Sequence, residues 1–374
     1  MASIQKRPNG KWRARYRDDE GREHSRHFER KVDATRWLGT ITAGMLTGSY
    51  VDPATSKITL RSFYAEWATR QVWAATTVVA MDLAVAKCTF AGLELGKLRR
   101  SHVETWVKSM VSDGLAASTI RTRVNNVRSV LRAATRDRLM SNDPSDGVTL
   151  PRLRKSEHAM KIPTPDQVRA ILEAADDWFR PYIALCAFAG LRLGEASAMR
   201  VTDVDFLRRT IGVRRQVQRA TGDDLAAGHS VSIVPPKYGS ERDVFVPDEL
   251  TTMIAWHVEH VGVRGDEQWL FVGDGAMPPH ANSVAYWWKK TTTKAGVPGV
   301  KLHDLRHYFA SGLIAAGCSV ATVQRALGHS SPSITLNTYT HLWPTAEDHT
   351  RKAAGAMMRA AMAAPADSLR TEQG

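Results

Sequence analysis

The sequence predicts a multidomain protein that is mainly α-helical and carries small β-sheets. Three observations point there. Near the N-terminus, Trp12-Arg13-Ala14-Arg15-Tyr16-Arg17 alternates strictly, with the period of two that marks a strand. From Thr59 to about Leu139, apolar residues recur at helical spacing. Between Ile211 and Pro247 the period returns briefly to two, inside a C-terminal region that is otherwise helical.

Residues 1 to 57 read as a small sheet with one helix. Asp19-Glu20-Gly21 makes a turn, His24 to Phe28 a return strand, and Ala34, Trp37, Leu38 and Ile41 the inner face of a short helix. One strand face carries Trp12, Ala14 and Tyr16. The other carries Arg13, Arg15 and Arg17, a basic ribbon of the kind that lies in a DNA groove, or else a charged edge that discourages aggregation. Gly48 to Lys57 is polar, contains Pro53, and reads as a linker.

Residues 58 to 150 form the second expected domain. Phe63, Trp67, Val103, Trp106, Val107 and Met110 have core spacing, and Ser118 is the expected cap of a long helix with Ile120, Val124, Val127, Leu131 and Ala134 inward. Arg121, Arg128 and Arg132 fall on another face of that helix, as a solvated stripe or as phosphate contacts. Asn142 to Glu157, with Pro144, Gly147 and Pro151, reads as a second linker ending in Arg152, Arg154 and Lys155.

Residues 151 to 374 make the third domain and its tail. Thr164-Pro165 is a strong helix start. The following helix, through Tyr182 and Leu185, reaches Ala189-Gly190-Leu191-Arg192-Leu193-Gly194-Glu195, where a charge between glycines beside an apolar helix is either paired to Glu195 or functional. Three strands are expected at Ile211 to Val213, Val231 to Val234 and Val244 to Pro247, with Lys237 at a hairpin tip before the last. The Gly222 to Gly228 insertion leaves the register of the second strand open. Beyond them, Ala353 to Ala364 is a run of helix formers too short to be stable in water unless docked.

Composition narrows the class. In 374 residues the net charge is +13, which favours an extended polyanion as partner, and 43% hydrophobic content supports packed cores. Three scattered cysteines, Cys88, Cys186 and Cys318, give neither a disulfide framework nor a zinc site and fit a reducing cytoplasm. No apolar run approaches the ~18 residues of a membrane span, and the N-terminus lacks a signal-peptide core. A soluble protein of the cytoplasm is expected.

The chemistry concentrates between His303 and Tyr339. His303-Asp304-Leu305-Arg306-His307-Tyr308 precedes an apolar helix that stops at Gly317; a second helix stops at Gly328, and Ser331-Pro332 starts a third. This places His303 just before one helix, His329 in a tight turn and Tyr339 after the last helix, free to converge. An arginine fork suits phosphate oxygens. A tyrosine hydroxyl is a possible nucleophile, but only roughly a thousandth is ionised at pH 7, so it needs helpers. His303 and His307 have the spacing of a helical metal pair, yet no glutamate of the H-E-x-x-H pattern and no third ligand accompany them. Two short helices joined at a glycine also describe a helix-turn-helix DNA reader.

Taken together, the blocks Ala189 to Glu195, Lys237 with Arg242 to Pro247, His303 to His307, Leu327-Gly328-His329 and Thr338-Tyr339-Thr340-His341 resemble the tyrosine recombinases, specifically phage integrases of the lambda-integrase type. The resemblance implies an arm-type DNA-binding domain at 1–57, a helical core-binding (SAM-like) domain at 58–150, and a mixed α+β catalytic domain at 151–374. It implies Tyr339 as the nucleophile that forms a 3′-phosphotyrosine and frees a 5′-hydroxyl. Arg192 and Arg306 would hold the non-bridging oxygens, Lys237 would protonate the leaving oxygen, His303 would exchange a proton with Tyr339, and His329 would bond the phosphate. It further implies double-stranded attachment-site DNA, with core and arm sites, as the partner of a homotetramer, together with a host DNA-bending protein and a directionality factor. No cofactor, metal or ATP is expected, since two guanidiniums can carry the transition-state charge and the phosphotyrosine conserves the ester. A type IB topoisomerase shares the covalent chemistry and is the nearest alternative.

Overall fold

The computed structural model describes residues 2–18, 21–47, 50–52, 55–152, 160–273, 276–343 and 346–362. The chain divides into two compact units, Met1–His158 and Ala159–Gly374.

The first unit opens with an antiparallel sheet of β1 (Ser3–Lys6), β2 (Trp12–Arg17) and β3 (Glu23–Phe28), with β2 in the middle. Strand β1 was not foreseen, because four residues without alternation carry no period. The pleat of β2 buries Ala14 and Tyr16 against helix α1 (Lys31–Leu46), where Ala34 is buried and Trp37 meets the Tyr16 ring edge-on at 5.5 Å. Arg13, Arg15 and Arg17 take the opposite face, as the alternation requires. Of the expected turn, Asp19 and Glu20 lie outside the described residues, as do Gly48 and Pro53 of the first linker.

Helices α2 (Leu60–Ala68), α3 (Ala75–Ala86), α4 (Arg100–Ser112) and α5 (Ala117–Arg136) enclose the second core, built from Phe63, Trp106, Ile120, Val124, Val127 and Leu131 among others. Ser118 does not cap α5: the helix begins one residue earlier, behind Ala116, without a side-chain cap. Nor is the stretch after Asn142 a free linker as far as Leu150. Ser145 and Val148 are buried, and Leu150 packs on the same core. Arg154 and Lys155 lie outside the described residues.

The second unit begins with α6 (Pro165–Ala174), whose start is fixed by a reciprocal pair of bonds between Thr164 and Gln167, then α7 (Arg180–Phe188) and the short α8 (Leu193–Ser197). Next come β4 (Val204–Asp205), β5 (Thr210–Val213), β6 (Gln216–Arg219), α9 (Gly222–Ala226), β7 (Val231–Val234) and β8 (Arg242–Phe245). The expected run of three strands is divided between two sheets. Strands β4, β5 and β8 form one, in that order, while β7 pairs with β6 in a second. Val217 and Val231 face Trp269 in a small separate cluster, which gives the second sheet its own apolar footing.

Helices α10 (Asp248–His260), α11 (Ala281–Lys294), α12 (Leu302–Ala315), α13 (Val320–Leu327), α14 (Pro332–Tyr339) and α15 (Ala346–Met362) complete the unit. Two expected boundaries shift by a few residues. His303 lies inside the first turn of α12, and Tyr339 is the last residue of α14. Gly317 stands where expected, in the left-handed conformation just past α12. Met357, Met358 and Met362 of α15 are exposed, and Ala363 and Ala364 lie outside the described residues. Among the described residues no helix is long and apolar enough to cross a membrane.

Candidate active site

Helix α7 is apolar on every side, and the buried Tyr182 in it donates its hydroxyl to the Leu193 carbonyl at 2.8 Å. That bond pins the start of α8 and so places Arg192, its N-cap residue. The preceding Gly190 must be glycine. Its φ is +64°, and a Cβ there would lie 2.4 Å from the Phe309 ring. The Gly190 carbonyl and the Leu327 carbonyl each accept from the Arg306 guanidinium, so this 2%-exposed arginine ties the α7–α8 junction to the end of α13.

Arg192 is paired to Glu195 by a 2.6 Å ion pair, the alternative raised by the sequence, but that pairing does not consume it. Among the described residues its second terminal nitrogen reaches only the Gly328 carbonyl, at 3.4 Å. Glu195 itself is buried and shared. Arg242 Nη2 meets its Oε2 at 2.9 Å and Nη1 its Oε1 at 3.2 Å. Burial pushes the Glu195 carboxyl up, but the hydrogen bonds and charges of Arg242 and then Arg192 outweigh it and hold the group at about 2. The sequence assigns Glu195 no role beyond its pairing, and Arg242 none beyond opening one block of the resemblance. The signal for Arg242 was its place at the start of a buried strand, where a charge demands a partner.

Arg306 is pushed down to about 9 by its own burial, then by Arg192 and Arg242, and stays a cation at neutral pH. His329 follows Gly328, whose φ of +61° ends α13 and whose missing Cβ leaves room for Arg242, the nearest side-chain atoms lying 3.0 Å from where a Cβ would be. Its Nδ1 lies 2.9 Å from Thr335 Oγ1, which fixes the ring. Burial, then Arg306, Arg192 and Arg242, lowers His329 to about 4, so it is a neutral hydrogen-bonding group at pH 7.

Tyr339 is 1% exposed and packs among Ala310, Ile314, Val323 and Leu327. Its hydroxyl is 2.7 Å from Nδ1 of His307. The histidine expected to exchange a proton with Tyr339, His303, stands one turn earlier on α12, where it is exposed and presents its ring edge-on to His307, 4.9 Å between centres. Burial, then His303, lowers His307 to about 4; burial raises Tyr339 to about 12 against the pull of Arg306 and Arg192. A neutral imidazole beside a protonated phenol is an arrangement in which the ring could take up the hydroxyl proton. Lys237 sits on the exposed connection between β7 and β8, its Nζ 5.0 Å from the Tyr238 ring centre, with no hydrogen bond to the arginine cluster among the described residues.

The other basic residues divide. Arg13 and Arg15 on the open sheet face pair loosely with Glu23, at 3.2 and 3.8 Å, and Arg17 is exposed. The arginines of the stripe on α5 have partners in the loop that follows the helix. Arg121 donates to the Pro151 carbonyl, Arg128 to the hydroxyl and carbonyl of Ser145, and Arg132 pairs with Asp143 at 3.5 Å and Asp146 at 3.7 Å. The acid that balances this stripe comes from the following loop rather than from the helix itself, so helical spacing could not reveal it.

Residues 161–345 match the phage integrase family, and residues 2–46 match the phage integrase N-terminal domain. Over 351 residues the chain is 26% identical to a putative prophage phiRv2 integrase of Mycobacterium tuberculosis, covering 89% of each. It is 25% identical over 275 residues to a XerC-like tyrosine recombinase of Caldanaerobacter subterraneus, covering 68% of this chain and 70% of that one. Among solved structures, the Tn1549 transposon integrase in complex with circular intermediate DNA superposes with a TM-score of 0.64 at 21% identity, over 80% of this chain and 100% of that one. A lambda integrase tetramer bound to a Holliday junction gives 0.56 at 15%, over 91% and 94%. At such identities the structural likeness is one of fold.

Proposed function

Because this chain belongs to the phage integrase family of tyrosine recombinases, we infer that it is a site-specific DNA recombinase that breaks and rejoins strands through a 3′-phosphotyrosine. The observation that carries the reading is that Arg192 and Arg306 meet at the Gly328, Gly190 and Leu327 carbonyls, with His329 and the His307–Tyr339 pair close enough to feel the charge of both.

In the proposed reaction the Tyr339 oxygen attacks the scissile phosphorus and its proton passes to His307. Arg192 and Arg306 hold the non-bridging oxygens as negative charge builds, and His329 donates a hydrogen bond to one of them. The bond to the 5′ oxygen breaks, and that oxygen takes a proton from Lys237. Attack by a 5′-hydroxyl of the partner strand then reverses each step. The exposed His303 stands open to the phosphate, beside the base. The number of bonds is unchanged throughout, so no energy-rich cofactor enters.

The three-part division at 1–57, 58–150 and 151–374 belongs to the same proposal, as do a homotetramer on two duplexes, work in a bacterial cytoplasm, and the help of a bending protein and a directionality factor. The arginine face of β2 is the proposed arm contact. For Arg121, Arg128 and Arg132 we favour bracing of the 143–151 loop over contact with DNA. A helix-turn-helix regulator has no use for a buried carboxylate shared by two arginines, and a type IB topoisomerase none for a separate arm domain.

The test is covalent trapping on a nicked attachment-site duplex. Wild type should accumulate a protein–DNA adduct, and Tyr339→Phe should bind the duplex and form none. An adduct that survives in Tyr339→Phe would remove Tyr339 from the reaction.

A further inference from the structure

One arginine beside the site has an unusual set of bonds. Arg242 is the first residue of β8 and 9% exposed. Its Nε donates to the Ala326 carbonyl at 2.9 Å, Nη2 to Glu195 Oε2 at 2.9 Å, and Nη1 to Glu195 Oε1 at 3.2 Å and the Ser240 carbonyl at 3.3 Å. All three nitrogens are committed inside the protein, so this arginine does not itself touch DNA. It lies under Gly328, next to the turn that carries His329.

The electrostatic consequence follows from the shared carboxylate. Arg192 has a 2.6 Å bond to Glu195, which alone would make a neutral pair and cancel much of its attraction for a phosphate. The second guanidinium on the same carboxylate leaves the triad one net positive charge. We propose that Arg242 is a positioning residue for strand cleavage: by neutralising Glu195 it keeps the charge of Arg192 available to the scissile phosphate, while holding the carboxylate that orients Arg192. The inference rests on the recombinase reading above.

The experiment measures single-turnover cleavage of the nicked duplex, with wild type and Tyr339→Phe as controls. Absence of cleavage by wild type would overturn the recombinase reading, and this inference with it. If wild type cleaves, Arg242→Gln should bind DNA as wild type does and cleave roughly a hundredfold more slowly, the scale of losing one preorganised group at a developing charge. Glu195→Gln combined with Arg242→Gln removes both charges, again leaves Arg192 unopposed, and should recover about tenfold over Arg242→Gln alone. Arg242→Lys keeps the charge and should stand above Arg242→Gln. A neutral methylphosphonate at the scissile position gives a readout that a mere brace would not move. There the Arg242→Gln defect should shrink, because less charge needs stabilising. Should Arg242→Gln fail to fold, as judged by melting, the double variant, which leaves no orphan charge, and Arg242→Lys decide. Cleavage by Arg242→Gln equal to wild type overturns the proposal. So does a defect that is the same in all three variants and on both substrates.

Discussion

Replacing His307 with phenylalanine keeps a ring against α14 and removes the single hydrogen-bonding partner found for the Tyr339 hydroxyl among the described residues. That hydroxyl is on a residue 1% exposed, so water does not take over. An orphaned buried hydroxyl costs about 1–3 kcal/mol, which for a unit of this size lowers the melting temperature by roughly 2–12 °C. Phenylalanine at both positions removes donor and acceptor together, and the double variant should regain most of that loss. Cleavage should fall further than stability does. A positioned base is worth roughly 10²–10⁴ in rate, whereas His303→Phe, which leaves the 2.7 Å contact intact, should cost less at the tyrosine proton. Differential scanning calorimetry and single-turnover cleavage of the nicked duplex measure the two effects. The pairing is refuted if His307→Phe melts and cleaves like wild type. It is equally refuted if His303→Phe alone stops cleavage at an unchanged His307.

Acid should destabilise the catalytic unit in a defined window. His307 and His329 sit at about 4 when folded against an ordinary 6.5, so their contribution is fully present above about pH 6.5 and is lost as pH falls through 4. Allowing for partial solvent screening, roughly 1 kcal/mol per pH unit should disappear between pH 6.5 and 4; urea unfolding that is flat across that range refutes it. Glu195, held at about 2, adds its own loss only below its ordinary 4.5. Gly190→Ala forces a left-handed alanine into the Phe309 ring and should cost about 2–5 kcal/mol together with most cleavage; an unchanged melting curve would show that the loop yields. Deleting residues 1 to 57 should abolish binding to arm DNA and spare weaker binding to core DNA in gel shifts, and equal loss on both would make the arginine-faced sheet part of the core clamp.

The chemistry was legible in the sequence because it depends on residue type. Arginine offers phosphate a planar fork of donors, and tyrosine offers a hydroxyl that a neighbouring base can activate. Helix boundaries were legible where a cap or a left-handed glycine declares them, as at Thr164-Pro165 and Gly328. The alternation in β2 was enough to place Arg13, Arg15 and Arg17 on the face opposite Ala14 and Tyr16. The division of the strands into two sheets was not legible. Strand β7 has the same alternating signature whichever neighbour it takes, and its choice of β6 rests on Val217, Val231 and Trp269 meeting across a distance in sequence.

Which of two histidines meets the tyrosine was likewise decided by tertiary structure. His303 and His307 are one turn apart on α12, and only the docking of α14 turns the Tyr339 hydroxyl to the second of them. The arginines on α5 looked free because helical spacing counts only charges on the same helix, and their partners arrive from the loop at 143–151. Arg242 looked like one more residue of a strand until β8 came to lie between Glu195 and the end of α13. The sequence by itself determined which reaction this protein is equipped for. The fold decided which charges cancel and which remain free to act, because burial and contact distance, and not residue identity, set the strength of every interaction among them.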